Sequence, residues 1–155
     1  MAALVRTVFA GAALTLAAGA ASAQECPAEP AFVAVTGSNS DVRASANYVE
    51  RADWGVAQHF ATEAIESGTS SRNKAAAYIN LCAALANQRD AGTAEACEAA
   101  VTRNPESWEA FTNRGAAYWL AGDQDAASEA FARAAELAAD EAAVQTNSAL
   151  VSCAS

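Results

Sequence analysis

Ala77-Tyr78-Ile79-Asn80 returns 33 residues later as Ala110-Phe111-Thr112-Asn113. The residues that follow match in kind, Cys82-Ala83-Ala84-Leu85 against Gly115-Ala116-Ala117-Tyr118. Further on, Cys97, Ala100 and Val101 precede Phe131, Ala134 and Ala135 by 34, and Ala61 and Ala64 stand 36 before Cys97 and Ala100. A period near 34 with helical texture means a stack of helix pairs, because a single pair cannot bury its own apolar face. The texture is helical from about Ala52 onward, where apolar residues recur at steps of three and four. Alanine, with Leu, Glu and Arg, favours helix throughout that stretch. The fold class expected is all-α.

The segment before the repeats differs in character. Glu25 to Pro30 is an extended lead-in with two prolines, and Ala31 to Thr36 reads as a short strand or extended piece. Gly37 to Ser40 reads as a turn, after which Asp41 caps a short helix through Glu50. Later boundaries carry their own signals. Asn104-Pro105 places a capping side chain before a proline, Gly122-Asp123 gives a break and a new N-cap, and Ser71 and Thr93 are capping candidates.

The first residues are read as a leader. Arg6, an apolar run from Thr7 to Ala18 and then Ala21-Ser22-Ala23 form the series that a signal peptidase recognises. Cleavage after Ala23 would place the chain in a periplasm or outside the cell. A membrane anchor or a lipid-anchored Cys26 is the alternative. The run is short for a span, and Glu25 beside Cys26 argues against a lipoprotein signal. Nine Lys+Arg against 18 Asp+Glu make the chain acidic, which argues against nucleic acid and anionic lipid as main partners. No later segment is suited to span a membrane.

The third unit, Phe111 to Leu137, resembles a tetratricopeptide repeat. It supplies Phe111, Gly115, Tyr118, Gly122, Ala127, Phe131 and Ala134 at the family's spacings. Arg114 stands where the family prefers Leu, and Ala139 where it prefers Pro. The unit before it offers Leu81, Cys82, Leu85, Cys97, Ala100 and Pro105, with the turn one residue short. In the first unit only Asp53-Trp54, Ala57, Ala61 and Ala64 match, as a second helix, and the first helix is truncated or replaced by the lead-in. The resemblance implies a right-handed α-solenoid of antiparallel helix pairs, about 2.5–3 repeats with a C-terminal capping helix. Residues 24–43 form the lead-in and 44–151 the helical domain, with units 44–68, 71–104 and 105–138 and a cap at 140–151.

Four cysteines, Cys26, Cys82, Cys97 and Cys153, allow three disulfide connectivities. None forms a CxxC or CxxxC pair, so zinc and dithiol redox chemistry are not expected. The resemblance implies that Cys82 and Cys97 face each other across one helix pair. A bond there would staple the second repeat, the alternative being two buried free thiols. Cys26 and Cys153 are then left to tie the two ends together.

The same resemblance implies a concave groove lined by the first helix of each pair. Its residues here are Ile79, Asn80, Ala83 and Ala86 in the second unit, and Glu109, Thr112, Asn113, Ala116 and Trp119 in the third. Asn80 and Asn113 fill a slot that the family uses to hydrogen-bond a peptide backbone. Trp119 is an anchor candidate, with packing against the capping helix as its alternative. The basic residues of carboxylate-clamp members are missing.

No catalytic constellation accompanies this frame. His59, the single histidine, has no nucleophile beside it and is read as a surface partner of Glu63. Asp123 and Asp125 complement a helix dipole, and no metal or cofactor is expected. The function expected is a non-catalytic, exported protein- or peptide-binding module. The alternative is a structural or assembly component docking through its convex face or N-terminal segment.

Overall fold

The computed structural model describes residues 26–154. The expected leader, Met1 to Ala23, lies outside the described residues. Those residues form seven helices: α1 (Ser40–Glu50), α2 (Trp54–Glu66), α3 (Ser71–Gln88), α4 (Thr93–Arg103), α5 (Trp108–Ala121), α6 (Gln124–Ala138) and α7 (Ala142–Ala154). No described helix is long and apolar enough to cross a membrane. Each helix packs on its successor, and α3 also packs on α1 and α5, and α5 on α7. The odd-numbered helices are therefore neighbours in one row.

Helix boundaries follow local chemistry, with shifts from the expected caps. Helix α1 starts earlier than the expected unit boundary, because the side chain of Asn39, not Asp41, accepts from Asp41 N and Val42 N. At 11 residues it is shorter than α3 and α5, at 18 and 14, and it ends at Glu50 as expected. Ser70 rather than Ser71 caps α3, accepting from Asn73 N. Thr93 is the first residue of α4, its hydroxyl turned back to Asp90 O at 2.6 Å. Pro105 falls in the turn before α5, whose cap is Ser107. Asp123 does cap α6, accepting from Ala126 N. Gly122 ends α5 at φ 85°, a left-handed conformation that costs glycine little.

Small residues set the helix spacing. Ala57, Ala61, Ala64, Ala77, Ala83, Ala100, Ala110, Ala116 and Ala127 are completely buried. Gly115 marks a close approach of α5 to the Phe131 side chain of α6, because a Cβ there would lie 2.5–2.6 Å from the Phe131 ring. Gly115→Ala should therefore destabilise the fold by about 1–2 kcal/mol. Overpacking by one methyl costs ~1–3 kcal/mol, and the better helix propensity of alanine offsets up to ~1 kcal/mol. Urea denaturation would measure it, and an unchanged midpoint would contradict the close approach.

Two disulfides close the structure. Cys82–Cys97 joins α3 to α4 across a Cα–Cα distance of 4.7 Å and is buried, at 0 % and 2 % exposure. Closing a 15-residue loop contributes ~3 kcal/mol in the chain-entropy model. Cys26–Cys153 spans 127 residues, joins the start of the lead-in to the end of α7, and is exposed at both ends. No free cysteine remains among the described residues. Two disulfides fit an oxidising compartment.

Candidate peptide groove

The lead-in does not stay outside the helices. Residues 31–38 run across the row of odd-numbered helices, and one asparagine from each of α3, α5 and α7 meets their backbone. Asn147 on α7 accepts from Ala31 N at 2.7 Å and donates to Ala31 O at 3.0 Å. Asn113 on α5 accepts from Val33 N at 2.8 Å and donates to Val33 O at 2.9 Å. Asn80 on α3 accepts from Val35 N at 2.8 Å and donates to Val35 O at 2.9 Å. The three carboxamides are completely buried.

The chemistry of this ladder is that of a neighbouring β-strand. A primary carboxamide carries an acceptor and two donors on one planar group. It can satisfy both the N–H and the C=O of a single extended residue, as a strand partner does. In an extended chain these groups point the same way at every second residue, which is why positions 31, 33 and 35 are the ones paired. The spare amide hydrogens are also used. Asn80 donates to Ser45 Oγ on α1 at 2.8 Å, and Asn113 to Ile79 O at 3.0 Å. The second of these ties α5 to α3 and orients the carboxamide. At the α1 end Asn73 accepts from Ser38 N at 3.2 Å, and Arg43 donates to Ser38 O at 2.7 Å. No described hydrogen bond reaches the backbone of Phe32, Ala34 or Thr36, the residues that alternate with the rungs.

Side chains hold the segment from both flanks. Phe32 is half-buried against three groups of core residues, including Ala83, Leu85, Ala116 and Phe131, with its ring 6.3 Å from Trp54. Val35 packs against Ala76 and Ile79. Beside Thr36 and Ser38 lies an open cleft of about 640 Å³ bordered by Arg72, Arg103 and Glu109.

The groove residues named from the sequence are placed as follows. Ile79, Asn80, Ala83, Asn113 and Ala116 form or adjoin the floor beneath residues 31–35. Glu109 borders the cleft and accepts from Ser107 Oγ at 2.6 Å. Thr112 is completely buried, its hydroxyl unpaired. Ala86 lies in the core around Cys82–Cys97, a cluster that Phe32 also touches. Trp119 is half-buried and packs against the cluster of Ala116, Ala127 and Phe131, which Phe32 of the segment and Val151 of α7 also pack against. His59 is exposed and has its ring 5.2 Å from Phe60 rather than the expected pairing with Glu63.

The floor is occupied by the chain's own lead-in, where the sequence reading expected it to stand open. That reading missed Asn147 as the third rung and Asn73 as the anchor of Ser38. Asn147 was within reach, since it follows Asn113 by 34 residues as Asn113 follows Asn80 by 33. No family model matches the chain, and no curated protein or solved structure matches it.

Proposed function

We propose that the chain is an exported, non-catalytic binding module, a tetratricopeptide-type right-handed solenoid that recognises extended protein segments. The observation that carries this reading is the buried ladder of Asn80, Asn113 and Asn147. The rungs pair with main-chain groups alone, so the ladder suits any segment that is extended and small or apolar at the flanking positions. The repeat of these rungs at 33 and 34 residues supports the solenoid assignment. The two disulfides support an oxidising destination for the chain.

Docking through the N-terminal segment is less well supported, because residues 31–35 are spent on the groove. The runner-up that remains is attachment through the acidic outer surface.

The test uses full-length chain carrying Cys26→Ser, Cys153→Ser, Val33→Pro and Val35→Pro. The prolines remove two donors from the resident segment and leave the groove unchanged. A fluorescent peptide of the sequence from Pro30 to Ser38 should bind this protein saturably, by anisotropy. Adding Asn113→Ala should weaken that binding at least about tenfold, as loss of a buried hydrogen-bonding partner does. Absence of binding, or binding indifferent to Asn113, would exclude the groove as a receptor.

A further inference from the structure

We propose that the Cys26–Cys153 disulfide is a redox latch that keeps the resident segment in the groove and releases it on reduction. The inference rests on the groove reading above and adds its control.

Three observations combine. The first is the occupied ladder itself, which leaves no free rung among Asn80, Asn113 and Asn147. The second is that the segment is fixed at both ends. Cys26 is bonded to α7, and Ser38 and Asn39 are bound to Asn73, Arg43 and the start of α1. Successive rungs take alternate residues, so residues 31–35 are extended. Beyond them only a short stretch with a bend at Ala28 and Glu29 leads to Cys26, which leaves little slack with which to lift off. While the bond is intact, a competing peptide cannot displace the segment stepwise from either end. Once it is broken, the segment can peel away from the α7 end, rung by rung, hinging near Gly37.

The third observation is the contrast between the two disulfides. Exchange requires a thiolate to approach a sulfur of the bond. Cys82 and Cys97 are 0 % and 2 % exposed, inside the α3–α4 core. Cys26 and Cys153 are both exposed, at the two ends of the described chain. A dithiol reductant therefore discriminates between them. Its thiolate attacks one sulfur of the Cys26–Cys153 bond, forming a mixed disulfide and expelling the other cysteine as thiolate. The second thiol of the reductant then attacks the mixed disulfide. The reductant leaves as its own disulfide, and its two electrons and two protons remain on Cys26 and Cys153 as thiols. The buried staple keeps the helices in place while the groove empties.

The experiment follows amide exchange by NMR on the full chain, oxidised and after titration with one equivalent of a small dithiol. Peptide mapping assigns which bond has opened. Cys26–Cys153 should open first, and exchange at Ala31, Val33 and Val35 should then accelerate at least about tenfold, with the α3 core amides unchanged. The Cys26→Ser, Cys153→Ser protein should behave as the reduced form without any dithiol. The fluorescent Pro30 to Ser38 peptide should bind the reduced chain and not the oxidised one. Simultaneous opening of both disulfides would overturn the latch. So would unchanged exchange and no binding after selective reduction, when the proline variant does bind the peptide, and the groove reading would then survive. Accelerated exchange with no binding by any variant, the proline variant included, would uphold release of the segment and remove the groove as a receptor.

Discussion

Asn113→Ala should lower the free energy of unfolding by about 2–4 kcal/mol, measured by urea denaturation with the disulfides intact. The substitution strands the N–H and C=O of Val33, both partly buried against the floor and both paired with the Asn113 carboxamide. Each buried group left unsatisfied costs ~1–3 kcal/mol. Two such groups sum to ~2–6 kcal/mol, and water admitted at the vacated carboxamide would recover part of this, which brings the upper end down. Asn113 also reaches Ile79 O at 3.0 Å, so its loss loosens α5 against α3 as well as freeing the segment. A change below ~0.5 kcal/mol, the usual scale of a neutral surface substitution, would mean that the ladder contributes nothing to the fold.

The periodic part of this architecture was readable from the residues. Gly115 against Phe131, the Asp123 cap and the second-helix pattern of Ala57, Ala61 and Ala64 follow from local chemistry and spacing. Asn80 and Asn113 stood out because they repeat. What fills the space above them did not. The contact between Val33 and Asn113 spans 80 residues, and that between Ala31 and Asn147 spans 116. No local period reports such a pairing. Ala31 to Thr36 reads as a short strand or extended piece, but an extended segment without a strand partner leaves its backbone unaccounted for. The unanswered question of where those hydrogen bonds go was the available clue, and the repeated asparagines were the available answer. Trp119 illustrates the opposite difficulty. It packs against Ala116, Ala127 and Phe131, the same core that Phe32 of the segment and Val151 of α7 pack against, so groove and capping helix share one cluster there.

Phe32→Ala should cost about 2–3 kcal/mol, somewhat less than the ~3–5 kcal/mol of a fully buried phenylalanine. Its ring is half-buried, yet it packs against three groups of core residues at once. The informative measurement is the combination with Asn113→Ala. Both residues hold the same stretch of chain, one by its side chain and the other through its backbone. If the segment docks as a unit, the first substitution already weakens the attachment that the second would break. The double variant should then lose at least ~1 kcal/mol less than the two single losses together, a coupling typical of sites in contact. Coupling should be absent between Phe32→Ala and Gly115→Ala if the latter acts only on the α5–α6 spacing. Gly115 faces the Phe131 ring, however, and Phe32 packs against that residue's cluster, so a small residual coupling is expected. Strict additivity of Phe32→Ala with Asn113→Ala would show that side chain and backbone are held independently. A segment held in that way could not be released by a single event at Cys26, so this double-mutant cycle also tests the physical premise of the latch.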